Sequence, residues 1–283
     1  MDSLILKQLT AAYRAGQQLV LAFDYDGTLT PLAAHPRLAH LDPVLRGVLA
    51  RLAARPRITI GIISGRGLDN LIGMVGLPGL SYGGSTGLEL ELAGKRRISA
   101  EALASRVLLD ALCAAIEERL TEYPGAWVEK KPFGFTVHYR QLATDRFASL
   151  RTETLARLAP QAANLQIMHG PLAIEVLPAI GQDKGTALRA IVTHSGAPSV
   201  TVLYAGDAVN DEPALTAAME LGGIALGIGL EPPAVAEYRL ADPAALRDLL
   251  MTLVEKIAAP HSDQDDSNPS PALGDGCGID AWH

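Results

Sequence analysis

The feature that most constrains this chain is "LVLAFDYDGTLTP", residues 19 to 31. Leu19, Val20, Leu21, Ala22 and Phe23 form an unbroken apolar run, the pattern of a strand buried on both faces. The run ends in Asp24 and Asp26, one residue apart, with Gly27 marking a sharp turn. Carboxylates at the edge of an apolar core are costly unless they are paired, hydrogen-bonded or bound to a metal. The chain must therefore supply a partner for them.

The rhythm that follows is that of an α/β protein. "DPVLRGVLARLAA" reads as a helix capped by Asp42 with Pro43 in its first turn. "ITIGIISG" reads as a second buried strand and "LDNLIGMV" as a short helix. "SVTVLYAGD" is a third buried strand ending in an acid, followed by a helix in "DEPALTAAMEL" and a strand in "GIALGIG". Asp242 and Pro243 start a last helix, "PAALRDLLMTLVEKIA". Strands alternating with helices predict a doubly wound, Rossmann-like parallel sheet covered on both faces.

The middle of the chain breaks that rhythm. Helix "EALASRVLLDALCAAIEERL", strands "AWVEKK" and "FTVHYRQ", helix "DRFASLRTETLARL" and strands "LQIMHG" and "LAIEVLP" give an αββαββ order. Its strands alternate apolar and polar, which fits a sheet with one wet face. The expected division is a core domain of residues 1–98 and 181–259, an inserted α+β cap at 99–180, and a disordered acidic tail at 260–283.

Charge narrows the function. The net charge of −7 includes five tail aspartates with no Lys or Arg beside them, so the remainder is nearly neutral and offers no basic surface for nucleic acid or an anionic membrane. The two cysteines, Cys113 in an apolar helical pattern and Cys277 in the tail, suggest neither a disulfide framework nor a metal cluster. No stretch is long and apolar enough to span a bilayer, and the N-terminus carries no signal-peptide pattern, so a cytoplasmic location is expected.

Ligands of open parallel sheets bind at the carboxyl ends of the strands. Asp24, Asp26 and Thr28 lie there after the first strand, Ser64 and Gly65 after the second, and Asp207 and Asp211 after the third; Lys184 opens the helix after the insertion. Four carboxylates, one lysine and two hydroxyls at one sheet end suit Mg²⁺ shared with a substrate phosphate. "DYDGT", a strand-end Ser, a Lys and "GD…ND" resemble the four motifs of the haloacid-dehalogenase-like phosphohydrolases.

That resemblance implies a nucleophile at Asp24 that forms an aspartyl-phosphate, and a general acid/base at Asp26. It assigns Thr28, Ser64, Gly65 and Lys184 to the phosphoryl oxygens. Mg²⁺ falls to Asp24, Asp26 through its carbonyl, Asp207 and Asp211.

The insertion is similar to the cap of the trehalose-phosphate phosphatase subfamily. "DYDGTLTPL" is close to that subfamily's first motif, "VEKKPFGFTVHYR" to a cap motif at Glu129, Lys131, His138, Tyr139 and Arg140, and "GPLAIEVLP" to a stretch holding Gly170, Glu175 and Pro178. The resemblance implies that Glu129, Lys131, His138, Arg140 and Glu175 contact the sugar. It also implies trehalose 6-phosphate as substrate, supplied by a separate glycosyltransferase. The sequence departs from the pattern at Thr86, Pro171, Leu177, Ala208 and Asn210. Another glycosyl phosphate (of the sucrose-phosphate or glycosylglycerate-phosphate type), a phosphosugar mutase and a non-catalytic sugar-phosphate binder remain alternatives.

Overall fold

The computed structural model describes residues 2–33, 35–170 and 172–258. The acidic tail, Cys277 and Pro171 lie outside the described residues. The core elements are α1 (Asp2–Arg14), β1 (Gln18–Phe23), α2 (Pro43–Ala53), β2 (Ile58–Ile63), α3 (Leu68–Val75), β3 (Ser81–Gly84), β4 (Glu89–Leu92) and β5 (Lys95–Ile98). The insertion carries α4 (Ala100–Arg119), β6 (Trp127–Lys131), β7 (Gly134–His138), α5 (Phe147–Leu158), β8 (Leu165–Gly170) and β9 (Ala173–Pro178). The core resumes with α6 (Lys184–His194), β10 (Val200–Gly206), α7 (Glu212–Glu220), β11 (Ile224–Ile228), β12 (Tyr238–Leu240) and α8 (Pro243–Ala258).

The large sheet runs β12-β11-β10-β1-β2-β3-β4-β5, so β1 lies in its interior between β10 and β2. The pairings from β12 to β3 are parallel. The apolar run of β1 is explained by what covers each side. Leu19, Leu21 and Phe23 join a core built with α1, α2, α3 and α8, while Val20 and Ala22 join a second core with α6 and α7. Successive side chains point to opposite faces, so a strand clothed on both must be apolar at every position.

Two expectations needed adjustment. The sheet is not wholly parallel, because β4 and β5 add an antiparallel hairpin at one edge. Its outer strand, "KRRI", is exposed along its length and carries three basic residues, which guard an open edge against pairing with another chain. Such a strand has no apolar signature to read. The strand expected over "FTVHYRQ" is also shorter, since β7 stops at His138; Tyr139 keeps the inward alternation of Phe135 and Val137 and packs edge-on against Phe147.

The small sheet is antiparallel, in the order β6-β7-β9-β8. Phe135, Val137, Ile174 and Val176 bury one face against Leu109, Cys113 and Ile116 of α4 and Leu150 and Leu158 of α5. Alternation then leaves Trp127, Glu129, Lys131, Thr136, His138 and Glu175 on the opposite face. That face looks toward the carboxyl ends of β1 and β2, with Trp127 stacked on His35 and Lys131 and Glu175 close to Gly65.

The double burial of β1 should make it intolerant of truncation. Leu21→Ala removes a side chain with no exposed surface. It is expected to cost about 2–5 kcal/mol of stability in a urea titration. A loss well below 1 kcal/mol would mean that the strand is not closed in on both sides.

Candidate active site

Lys184 organises the site. Asp183 caps α6, accepting from the backbone N–H of Thr186 at 2.8 Å, while its own N–H donates to the Thr186 hydroxyl at 3.0 Å. This reciprocal cap fixes the first helical residue, Lys184, which is 1% exposed. Its Nζ donates to Asp24 Oδ1 at 2.7 Å and to Asp211 Oδ1 at 2.7 Å, with Asn210 Oδ1 at 3.4 Å. One ammonium thus ties the strand end of β1 to the loop after β10.

Asp211 is fully engaged. Tyr204 donates its hydroxyl to Oδ1 at 2.6 Å, and the backbone N–H groups of Asp207 and Ala208 donate to Oδ2 at 3.1 and 3.0 Å. The residue is wholly buried and holds the turn that presents Asp207. Gly206 must be glycine here, since a Cβ would overlap the Asp211 side chain. The same holds at Gly27, where φ is +89° and a Cβ would overlap the Asp207 carboxylate. The turn after Asp26 therefore lies directly against the acid that follows the third buried strand.

Carboxylate oxygens of Asp24, Asp207 and Asp211 lie within 4.8 Å of one another. Three acids face one ammonium, an imbalance that shows in their proton affinities. Burial raises the Asp24 carboxyl well above the ordinary range; Lys184 opposes this, and Asp211 and Asp207 add to it. Burial and then Asp211 push Asp207 up to about 6. For Lys184 burial works the other way, but the charges of Asp211 and Asp24 outweigh it and hold the ammonium protonated. An all-oxygen set with surplus negative charge fits a hard divalent cation.

Asp26 faces elsewhere. Arg66 grips its carboxylate bidentately, Nε to Oδ2 and Nη2 to Oδ1, each at 2.7 Å. The guanidinium also donates to the Pro36 carbonyl at 2.6 Å and to Asn70 Oδ1 at 3.0 Å, and lies 5.3 Å from the centre of the Tyr25 ring. The Asp26 backbone stays with the first turn, where the Gly27 N–H donates to the Thr30 carbonyl at 2.8 Å and the Thr30 hydroxyl to the Tyr25 carbonyl at 3.2 Å. Thr28 is buried and donates to Asp207 Oδ1 at 3.3 Å, and Ser64 is buried with its Oγ accepting from the Arg66 N–H at 3.2 Å.

The insertion contributes a second polar cluster. Lys131 and Glu175 form an ion pair, and both polar ends lie within 4 Å of where a Cβ on Gly65 would sit. His138 Nε2 meets Glu129 Oε2 at 2.9 Å, and the Trp127 ring stacks between His138 at 4.4 Å and His35 of the core at 5.1 Å. Burial raises the Glu129 carboxyl, but His138, Lys131 and Arg66 outweigh it and the net shift is downward. Arg140 lies exposed in the turn after β7 and takes no part in these contacts.

The structure thus brings together Asp24, Thr28, Lys184, Asp207 and Asp211, and separately Gly65, Lys131 and Glu175. It adds Arg66, Tyr204, His35 and Trp127, none of which the sequence reading placed at a site. Arg66 was visible beside Ser64 and Gly65 in "IISGR". Tyr204 was hidden inside an apolar run, where an aromatic reads as core.

A cation-ready acidic cluster at the carboxyl ends of a doubly wound sheet, beneath an inserted αββαββ unit, defines a haloacid-dehalogenase-like protein. A family model described as trehalose-phosphatase matches residues 22–239, and the chain belongs to that family. It is 36% identical over 202 residues to the trehalose-phosphate phosphatase of Mycobacterium tuberculosis strain H37Rv and 34% identical over 207 residues to that of Mycobacterium avium. These alignments cover 70% and 72% of this chain but 51% and 52% of the relatives, so the chain spans about half their length. Among solved structures, the C-terminal domain of trehalose-6-phosphate phosphatase from Candida albicans superposes with a TM-score of 0.76 at 23% identity, covering 88% of this chain and 96% of that one. The Aspergillus fumigatus trehalose-6-phosphate phosphatase gives 0.58 at 25% identity, covering 90% and 97%.

The raised Asp207 carboxyl fixes a sign for pH. A group whose native pKa lies above its unfolded value of 3.8 favours the fold below pH 4, and that contribution is lost as pH rises through about 6. In EDTA, the stability of the native chain minus that of Asp207→Asn should therefore fall between pH 4 and pH 7, by on the order of 2–3 kcal/mol. A difference that stays flat across that range would show that Asp207 carries no excess of negative charge.

Proposed function

We propose that this protein is a Mg²⁺-dependent phosphatase that hydrolyses trehalose 6-phosphate to trehalose and phosphate. The observation that carries the reading is Lys184 spanning Asp24 and Asp211 at 2.7 Å each, with Asp207 alongside. A carboxylate held in place by an ammonium and by the edge of a cation site is oriented for attack on phosphorus, and family membership names the ester.

In this reading Asp24 forms a bond to phosphorus as the bond to the sugar oxygen breaks, giving an aspartyl-phosphate. Asp26 gives its proton to the departing oxygen and then takes one from the water that opens the acyl phosphate. Arg66 holds both oxygens of Asp26, so one of the two contacts must open when Asp26 carries the proton for the departing oxygen and can close again once the proton has left. Thr28, Ser64, the Gly65 backbone and Lys184 hold the phosphoryl oxygens. Asp24, Asp207 and the Asp26 carbonyl would hold Mg²⁺, with Asp211 buttressing them, since its own oxygens already accept four hydrogen bonds. Bound there, the cation supplies charge neutralisation for the transferring group.

Residues 99–180 act as the cap that closes over this site and excludes water. Its polar face favours a neutral sugar. Glu129 and Glu175 set two carboxylates against Lys131, with His138 already paired to Glu129. An anionic leaving group such as a glycosylglycerate would meet that excess of acid, whereas a disaccharide finds donors and acceptors in alternation. The ester would come from a separate glycosyltransferase, and the cytoplasm is the compartment that fits such a substrate.

Phosphate release from a panel of sugar phosphates checks this. Fast turnover of trehalose 6-phosphate with Mg²⁺ and none with EDTA is expected. Asp24→Asn should abolish turnover, and Asp26→Asn should lower kcat by about 10²- to 10⁴-fold while leaving substrate binding largely intact. Isomer interconversion without free phosphate would favour the mutase alternative. Binding without any turnover would favour the non-catalytic one.

A further inference from the structure

Two buried hydroxyls at the junction of core and cap are unexplained by the chemistry above. Thr86 is 4% exposed and Thr136 is 5% exposed, and neither Oγ1 has a hydrogen-bond partner among the described residues. A buried donor and acceptor left unsatisfied is costly, and native folds rarely tolerate one without a use. Here there are two, one on each side of the same junction.

Thr86 is also held in a backbone conformation that a β-branched residue avoids. Its φ and ψ are +59° and +29°, and Ser85 before it has φ +49°. Consecutive left-handed residues of this kind persist only when their surroundings over-determine them, and such strain gathers at ligand sites. The surroundings do so. The Ser85 N–H donates to the Arg66 carbonyl at 2.6 Å, the Thr86 N–H to the Ser64 carbonyl at 2.9 Å, and the Ser85 hydroxyl to Glu89 Oε2 at 2.7 Å. Glu89 accepts in addition from the Leu68 N–H at 3.1 Å. The turn is thereby bolted to the loop that carries Ser64 and Gly65.

The strained turn aims Thr86 at one place. Its Oγ1 lies 3.7 Å from where a Cβ on Gly65 would stand, as does Lys131 Nζ, with Glu175 Oε1 at 3.5 Å. Thr136 is in direct register with Glu129 on one neighbouring strand and Glu175 on the other, so its hydroxyl shares their face of the cap sheet. The spot above Gly65 is thus ringed by a hydroxyl, an ammonium and a carboxylate, with the Thr136 hydroxyl on the same cap face beside Glu175. That pattern matches the hydroxyls of a carbohydrate and is a poor match for a second phosphate.

We propose that Thr86 and Thr136 are specificity-determining residues, whose hydroxyls bond to ring hydroxyls of the sugar being released, Thr86 from the core and Thr136 from the cap. The proposal rests on the sugar-phosphatase reading and extends it to two residues which that reading leaves without a role. Because one hydroxyl comes from each part of the chain, the sugar completes the junction when the cap is closed. An ester without those hydroxyls gains nothing from either threonine.

The test is a ratio. For the full chain with Mg²⁺, kcat/KM is measured for trehalose 6-phosphate and for p-nitrophenyl phosphate, which has no sugar. Thr86→Val and Thr136→Val remove one hydroxyl each at nearly constant volume. Each is expected to lower the ratio of sugar to nitrophenyl ester by about tenfold or more, because a polar site discriminates through the groups it leaves unpaired. Thr86→Ser, which restores the hydroxyl, should recover most of the loss. A ratio within twofold of the original would overturn the proposal. A parallel fall for both esters would overturn it in favour of a structural role. Valine suits a strand, so Thr136→Val remains decisive if Thr86→Val does not fold. Should the unmodified chain turn over a different sugar phosphate, the substrate assignment fails, and the same ratio taken with that sugar decides the threonines independently.

Discussion

Everything at this site depends on the ion pairs made by Lys184. The ammonium joins Asp24, at the tip of an interior strand, to Asp211, in the loop after the adjacent strand, with both contacts at 2.7 Å and all three side chains almost wholly buried. A buried charge pair seldom improves stability over an apolar substitute, because the cost of desolvation offsets the attraction. Its value here is geometric. Two carboxylates and an ammonium locked together fix where Asp207 must stand, and the glycine at position 27 lets the first turn approach it. The residual negative charge is what a divalent cation would neutralise.

Much of this was legible in the sequence because the physics is local. A short apolar run with no polar face, closed by a sharp turn, fits an interior strand of a covered sheet, and that places Asp24 at its carboxyl end. Asp42 before Pro43 announced a helix start, and the structure caps α2 there, with the Val44 N–H donating to Asp42 Oδ1 at 2.7 Å. The alternation of "AWVEKK" and "LAIEVLP" separated a wet face from a packed one, and the resemblance of these stretches to the family's cap motifs singled out Lys131 and Glu175 on that face.

What escaped the sequence depends on pairing across long separations. Arg66 reaches Asp26 forty residues upstream, and nothing in "SGR" says which acid it will hold. Tyr204 reads as one more apolar residue in β10 until Asp211 folds back to accept its hydroxyl. Strand β5 has no apolar position to reveal it, since an unpaired edge is protected by charge rather than by burial. The strain at Thr86 is equally silent, because a left-handed threonine looks like any other until its dihedral angles are known.

Locating the cation tests most directly whether the acids share a metal. Crystals grown with Mn²⁺ in place of Mg²⁺ allow the ion to be found by its anomalous scattering. One ion is expected at saturation, in contact with the carboxylates of Asp24 and Asp207 and the carbonyl of Asp26, while Lys184 keeps its hold on Asp24 and Asp211. Density elsewhere, or none between the tips of the two acid-ended strands, would contradict the claim that the acids are gathered there to share a metal.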